Sequence, residues 1–319
     1  MEALLSINNL SVSFDTYAGV VKAVRNVSFR VKERETVAVV GESGCGKTVT
    51  AKSVMGLVKC PPGRVDPDSQ VLFEGKNIFD FTEEEWEEYR GEKCAIIFQD
   101  ALAALNPTIK IGKQIGEMLK LHTKMNASQI KDEVIRLLET VGISEAEQRY
   151  HQFPHEFSGG QRQRIMIAMA LACTPKLLIA DEPTTSLDVT VQAQILELLE
   201  QMKLKSGVAV LLITHNLGIV AKAADRLVVM YGGEVVEQGS STDIFYYARH
   251  PYTWALINAV PRIDVKLDEE LMTIEGTPPD LIQLPTGCVF YPRCPYCMEI
   301  CKKRNLRPQC RESIFPFAG

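Results

Sequence analysis

Long hydrophobic runs are missing from this sequence of 319 residues. Apolar runs such as residues 177–180 and 208–213 are far shorter than the about 20 apolar residues that a membrane-spanning helix needs. The chain also opens without a positively charged segment followed by an apolar one, so we expect no secretion signal. We therefore expect a cytosolic protein whose membrane contacts are made through a partner.

A surplus of basic residues is missing as well. The chain has 35 Lys and Arg against 40 Asp and Glu, which gives a net charge of −5. Nucleic-acid-binding domains usually carry a basic patch or stripe, so we predict no nucleic-acid partner. The length suits one large domain, or a domain with an appendage.

The nine cysteines are distributed unevenly. Four are scattered along the chain, namely Cys45, Cys60, Cys94 and Cys173. Five crowd into the last part, namely Cys288, Cys294, Cys297, Cys301 and Cys310. In a cytosolic protein such a cluster is more often metal-binding than disulfide-bonded.

The most informative stretch is residues 41–48, which read GESGCGKT and match the phosphate-loop pattern G-x-x-x-x-G-K-[ST]. An apolar, β-branched strand is predicted before it at 36–40, and a helix after it at 49–57. In this context backbone N–H groups and the positive helix end bind phosphate oxygens. Lys47 can reach the terminal phosphates and the Thr48 hydroxyl can bind Mg²⁺, whereas the alternative is a glycine-rich turn that binds nothing. The loop residues predicted to bind nucleotide are Gly41, Ser43, Gly44, Cys45, Gly46, Lys47 and Thr48.

The stretch before this loop alternates between apolar and polar residues over 3–40, which predicts half-buried strands. A turn is expected at 15–19. Tyr17 in this turn could stack on a nucleotide base or could be an ordinary exposed loop residue, and the sequence leaves both open.

Polar residues follow three further apolar strands, predicted at 94–100, 177–182 and 208–215. Asp181 can hold the Mg²⁺ that Thr48 also touches. Glu182, one residue further on, can polarise a water molecule. The alternative for this acidic pair is a solvated turn, since a proline follows.

Gln99 lies near the end of the strand predicted at 94–100, and His215 lies at the end of the strand predicted at 208–215. Gln99 can reach the metal or the attacking water, or it can be a surface residue. His215 can hydrogen-bond a γ-phosphate at the carboxyl edge of the sheet, where ligands bind in α/β proteins, although a lone histidine there is more often structural.

A helical lobe is predicted at about 101–172, with helical periodicity from 111 onward and a stop at Gly142. Near its end Ser158 is expected to cap a helix that begins with two glycines. Such a helix start is a second anion site, or it is a simple capped helix.

These motifs resemble, in order and spacing, the ATP-binding subunit of ABC transporters over residues 3 to about 245. They comprise the phosphate loop, Gln99, the signature Ser158–Gln161, the strand ending at Asp181, Glu182, the turn 186–188 and His215. One departure is Phe157, where the family usually has leucine. The resemblance implies an α/β phosphate-loop core with a mixed sheet, flanking helices, an antiparallel β subdomain and a helical signature lobe. It implies an ATPase domain over 1–245 and a C-terminal extension over 246–319.

The resemblance also implies assembly and location. Two ATPase subunits close head to tail, so that the signature of one faces the ATP of the other. The residues expected to contact the partner's nucleotide are Ser158, Gly160, Gln161 and Asp188. The implied partners are a second ATPase (a heterodimer, or alternatively a homodimer), two transmembrane permease subunits and, indirectly, an extracytoplasmic substrate-binding protein. The subunit is then peripheral on the cytoplasmic face of the cell membrane.

Two further segments resemble the ATPases of dipeptide and oligopeptide importers. They are 249–253, which reads RHPYT, and 287–295 in the cysteine-rich tail. Nickel importers share much of this pattern and are the alternative. A soluble ABC ATPase would be expected to carry a long coiled coil or two fused cassettes, and neither pattern is visible. A non-catalytic, regulatory nucleotide binder is disfavoured because the predicted catalytic residues are intact, namely Lys47, Asp181, Glu182 and His215.

The cysteine-rich tail predicts a metal centre. Four thiolates suit zinc as well as iron, but zinc sites more often show paired C-x₂-C spacings, and only Cys294 and Cys297 have that spacing. The irregular spacing of the others suits a cluster held by loops. Some ATPases of the family carry a [4Fe–4S] cluster, and that resemblance implies the ligands Cys288, Cys294, Cys301 and Cys310, with Cys297 as the spare.

Overall fold

A computed structural model describes residues 3–100, 104–184, 189–260 and 274–304. The described residues form two compact units. The first draws on 1–31, 36–79 and 214–319, and the second on 32–35 and 80–213. Within the described residues no helix is both long and apolar enough to cross a bilayer.

The first unit contains an antiparallel sheet in the order β2-β1-β5-β6, with β4 also paired to β1. Its strands are β1 Leu5–Thr16, β2 Gly19–Val31, β4 Gly63–Val65, β5 Gln70–Phe73 and β6 Lys76–Asn77. The alternation predicted at the start of the chain is confirmed, and its first part forms one long strand, β1. The register of the pairing between β1 and β2 shifts at several points along β1. These irregularities let the strand continue where buried and exposed residues do not strictly alternate.

The first unit also contains the strand before the phosphate loop. This strand, β3 Thr36–Val40, runs parallel to β10 Arg226–Tyr231, and β11 Glu234–Ser240 is antiparallel to β10. All five residues of β3 are buried, as the continuous apolar run predicted. The helix after the loop, α1 Lys47–Val54, is three residues shorter at its C-terminal end than predicted.

The second unit contains three parallel strands, β7 Cys94–Ile97, β8 Leu177–Asp181 and β9 Ala209–Ile213, with β8 in the middle. This unit also contains the helix α2 Glu83–Glu88, which begins with a capping box of Thr82 and Glu85, and the helix α7 Val189–Ser206.

The second unit contains helices where the helical lobe is predicted, and the lobe as a separate part with those bounds stays a prediction. These helices are α3 Ile111–His122, α4 Ala127–Thr140, α5 Ala146–Arg149 and α6 Gly159–Leu171. The helix α4 ends as predicted, because Gly142 has φ of 77° just beyond it. The departure at Phe157 is accommodated, since its ring is buried.

Within its described residues, the C-terminal extension contains α10 Pro251–Asn258 and α11 Glu299–Lys303 of the first unit. Before these helices, the same unit contains α8 Leu217–Ala223 and α9 Ser241–Tyr247. The helix α9 runs across the predicted boundary at 245/246, and that boundary stays a prediction. Val289 and Phe290 are buried, and the Phe290 ring packs against Tyr231 and Tyr252.

Candidate nucleotide-binding site

The phosphate loop leaves β3 and enters α1 through backbone shapes that require glycine. Gly41 has φ of 152°, and a Cβ there would lie 2.1 Å from the carbonyl oxygen of Met230. Gly46 has φ of 99°, and its Cβ would lie 2.4 Å from the carbonyl oxygen of Ala23. Glycine lets the backbone make both close approaches, so the loop has the strand–loop–helix context that the motif requires.

Lys47 is buried within this loop. Its Nζ donates to the carbonyl oxygens of Gly41 at 2.8 Å and Glu42 at 2.9 Å. Cys45 lies beside it at 3.8 Å, and burial raises the pKa of the Cys45 thiol while Lys47 partly offsets the effect. The Lys47 ammonium is therefore hydrogen-bonded to the start of its own loop, and its role toward a terminal phosphate stays a prediction.

Other predicted residues of the first unit are more accessible. Ser43 and Gly44 are exposed at the loop tip, and Thr48 is half-buried in the first turn of α1. Tyr17 is fully exposed, which agrees with a ring that stacks on a nucleotide base and equally with an ordinary exposed loop residue. His215 is exposed between β9 and α8. Their roles toward a nucleotide stay predictions.

In the second unit the structure brings Gln99 and Glu182 together. The Nε2 of Gln99 donates to the Glu182 carboxylate at 3.1 Å. Asp181 is the last residue of β8 and is buried, whereas Glu182 is half-buried. The sequence predicted a role for each of these residues but not their hydrogen bond.

The predicted cap of the signature helix is confirmed. The Oγ of Ser158 accepts from the N–H of Gln161 at 3.3 Å, and the Gln161 side chain accepts from the N–H of Ser158 at 3.1 Å. Ser158 and Gly159 are exposed, while Gly160 and Gln161 are half-buried. An open helix start of this kind can bind an anion. Asp188, predicted to act with this signature, lies outside the described residues.

In the tail, three of the four predicted cluster ligands are described, and Cys310 lies outside the described residues. The N–H of Cys288 donates to the carbonyl oxygen of Cys301 at 2.8 Å. The pKa of Cys294 is raised to about 11, chiefly by burial, with smaller contributions from the neighbouring Cys288, Cys297 and Cys301, while a hydrogen bond from the Tyr296 backbone partly offsets the effect. These four thiols therefore share one neighbourhood. Among the described residues, however, no group of three or more Cys, His, Asp or Glu side chains is arranged to hold a metal ion.

Sequence reasoning missed two contacts of the phosphate loop, those of Glu42 with Tyr252 and with Arg293. The Arg293 guanidinium pairs with the Glu42 carboxylate at 2.7 Å, and the Tyr252 hydroxyl accepts from the N–H of Glu42 at 2.9 Å. Glu42 occupies a variable position of the motif, and the other two lie more than 200 residues away. A pattern read locally contains no signal for such a contact.

Together, the buried parallel strand, the glycine-constrained loop and the lysine at the start of α1 define a phosphate-loop nucleotide-binding protein of the α/β class. Comparison with known proteins narrows this class. The chain matches the family described as ABC transporter over residues 24–185, and the family described as oligopeptide/dipeptide transporter, C-terminal region, over 236–301.

Curated relatives resemble the chain along nearly all of its length. A dipeptide transport ATP-binding protein of Bacillus subtilis is 52% identical, over 95% of this chain and 90% of its own length. An oligopeptide transport ATP-binding protein of Escherichia coli is 48% identical, over 94% and 88%. A solved dimeric bacterial ABC transporter cassette superposes with a TM-score of 0.67 at 25% identity, over 74% of this chain and 98% of that one. The chain belongs to the ABC transporter family of ATP-binding subunits, and it is therefore an ATPase.

Proposed function

We propose that this chain is the ATP-hydrolysing subunit that energises a membrane importer for dipeptides or oligopeptides. The observation that supports this most strongly is the presence of two family matches in one chain, the ABC transporter match and the C-terminal match. The relatives named above are dipeptide and oligopeptide transport ATP-binding proteins, which favours peptide cargo over nickel.

In this mechanism the N–H groups of residues 41–48 and the Lys47 ammonium bind the phosphates of ATP. Glu182 orients a water molecule for in-line attack on the γ-phosphate, and Gln99 fixes the direction of its carboxylate. His215 donates to the γ-phosphate, and Tyr17 stacks on the base. Expulsion of bulk water from the closed site strengthens each of these electrostatic contacts.

Mg²⁺ is the expected cofactor, and the donor atoms fit it. The Thr48 hydroxyl, the Gln99 carbonyl and the Asp181 carboxylate are all hard oxygen ligands, which Mg²⁺ prefers. When bound, the ion would neutralise negative charge on the phosphates.

ATP hydrolysis is proposed to be shared between two ATPase subunits, a heterodimer or alternatively a homodimer. The signature Ser158, Gly160 and Gln161, together with Asp188, contacts the ATP held by the phosphate loop of the second subunit. The exposed, capped start of α6 supports this role, because its outermost residues are accessible to another chain. Closure then drives two permease subunits at the cytoplasmic face of the membrane, which receive cargo from an extracytoplasmic substrate-binding protein.

The test is uptake by the complete complex in sealed vesicles, with labelled dipeptide, labelled oligopeptide and nickel ions as separate cargoes. We expect ATP-dependent peptide uptake that Lys47→Ala abolishes, because that change removes the charge nearest the β- and γ-phosphates. Uptake of nickel without peptide would reassign the cargo. ATP hydrolysis by a chain that never associates with permease subunits would favour a soluble ABC ATPase.

The tail is proposed to bind a [4Fe–4S] cluster through Cys288, Cys294, Cys301 and Cys310, with zinc as the alternative. Backbone hydrogen bonds join Cys288 to Cys301 and Cys297 to Cys294, and this proximity supports a centre to which these thiols contribute. Protein purified without oxygen should be brown, absorb near roughly 400 nm and release iron and sulfide. Colourless protein with stoichiometric zinc would show that the bound metal is zinc and not an iron–sulfur cluster. Loss of the metal in Cys294→Ser with retention in Cys297→Ser would support these ligands, and the reverse pattern would contradict them.

A further inference from the structure

Arg293 lies at the end of a single 3₁₀ turn, Tyr291–Arg293, in the C-terminal extension. Its side chain is only 6% exposed. All five guanidinium N–H groups can be accounted for by acceptors within hydrogen-bond distance. These acceptors are the two carboxylate oxygens of Glu42, the Tyr231 hydroxyl and the carbonyl oxygens of Ile274 and Glu275. A guanidinium held at so many points has one orientation, which it imposes on the carboxylate it binds.

Glu42 is the second residue of the phosphate loop, and it is held at three places. Its carboxylate accepts two hydrogen bonds from Arg293, at 2.7 Å and 3.1 Å. Its N–H donates to the Tyr252 hydroxyl at 2.9 Å. Its carbonyl oxygen accepts from the Nζ of Lys47 at 2.9 Å. Lys47, which is proposed to bind the terminal phosphates, is therefore hydrogen-bonded directly to Glu42, and the C-terminal extension holds Glu42 in place.

The groups that hold Glu42 are themselves rigid. Tyr252 is fully buried near the start of α10, where the Nδ1 of His250 accepts from its N–H and caps the helix. Its ring lies 4.5 Å from the ring of Tyr231 and 5.3 Å from the ring of Phe290, measured between centroids. Phe290 precedes the 3₁₀ turn that carries Arg293. Both contacts to Glu42 thus come from one packed aromatic cluster.

We infer that Arg293 and Tyr252 are positioning residues for the phosphate loop, so that the C-terminal extension sets the affinity of this subunit for nucleotide. The inference rests on the proposed role of residues 41–48 as the nucleotide site. Its physical basis is preorganisation: a loop already held in its binding shape loses less conformational entropy when phosphate binds. Coupling between two sites is reciprocal, so nucleotide must stabilise the extension by the same factor by which the extension strengthens nucleotide binding.

The first measurement is the affinity of the full chain for a fluorescent ATP analogue. Arg293→Met should weaken binding by about 5-fold to about 150-fold, the usual range of coupling between two sites. Glu42→Gln and Tyr252→Phe should each weaken it in the same direction, and the double variant of Arg293→Met and Glu42→Gln should be little worse than either single variant. Arg293→Lys should restore binding only in part, because an ammonium cannot make the two parallel hydrogen bonds. The matched control is Lys302→Met, which removes a cation of the same extension that is paired with Glu299 instead of the loop.

The second measurement is amide hydrogen exchange of residues 288–301 with and without nucleotide. A residue that merely stabilises the fold would leave this difference unchanged. We expect nucleotide to slow exchange in the unmodified chain and to have no such effect in Glu42→Gln, whose tail sequence is intact.

Unaltered affinity in Glu42→Gln and Tyr252→Phe, with exchange of 288–301 indifferent to nucleotide, would overturn the inference. Should Arg293→Met fail to fold, the Glu42 and Tyr252 variants decide, since both leave Arg293 in place. If the unmodified chain does not bind nucleotide, or if Lys47→Ala binds it equally well, the proposed nucleotide site fails instead. The two failures are therefore distinguishable.

Discussion

At the scale of single residues, Glu182 is held in a conformation that most side chains avoid. Its φ is 49°, in the left-handed region, where a non-glycine residue costs on the order of 1–3 kcal/mol. The N–H of Glu182 donates to the carbonyl oxygen of Ile213 at 2.8 Å, and its carboxylate accepts from Gln99 at 3.1 Å. These two hydrogen bonds fix where the carboxylate points just beyond β8.

The proposed role of that carboxylate predicts the effect of Glu182→Gln. The amide keeps the size of the side chain, and its carbonyl oxygen can still accept from Gln99, so the fold and ATP binding should persist. It cannot act as a general base, and turnover should fall by about 10²-fold or more. ATPase assays and nucleotide binding should be measured on the same preparation.

The matched control is Glu139→Gln, which removes an exposed carboxylate of α4 outside the site. It should hydrolyse ATP at the unmodified rate. Hydrolysis by Glu182→Gln at the rate of this control would refute the assignment of Glu182 as the residue that orients water.

At the scale of elements, the start of α6 combines a structural and a proposed functional role. Ser158 completes the helix through its reciprocal hydrogen bonds with Gln161, as serine at this position usually does. The sequence predicted the cap because the capping signal lies within four residues. What the exposed face of this helix start binds depends on another chain, so no local pattern could decide it.

Ser158→Arg tests that exposed face. The long cationic side chain should block closure against a second subunit, while binding of ATP to the chain's own phosphate loop stays largely intact. The change should be made in the hydrolysis-deficient Glu182→Gln variant, in which ATP is expected to hold the dimer together. Light scattering should then detect an ATP-induced dimer for Glu182→Gln alone and none for the double variant.

Asn126→Ala is the control for loss of a helix cap, because Asn126 caps α4 in the same lobe. It should cost about 1 kcal/mol of stability and leave dimer formation unaltered. Should the monomeric Ser158→Arg variant lose ATP binding itself, the head-to-tail arrangement would be contradicted.

At the scale of the whole molecule, the sequence predicted those features whose causes are local. Apolar runs predicted β3, β8 and β9, and periodicity with a terminal glycine predicted α4. The ion pair of Arg293 with Glu42 joins residues 251 positions apart, and it exists only because folding brings the tail beside the phosphate loop. The sequence therefore predicted the loop itself but not the residues that hold it.

The last prediction concerns attachment to the membrane. A net charge of −5 gives no general attraction to the anionic cytoplasmic leaflet, so the proposed docking on permease subunits should be what attaches the chain to the membrane. On that proposal the chain should sediment with membranes only when its permease subunits are produced in the same cells, and Lys47→Ala should sediment equally, because docking does not need hydrolysis. Immunoblots of membrane and supernatant fractions measure this directly. Sedimentation without permease subunits, or persistence in the supernatant when they are abundant, would contradict the proposed peripheral association.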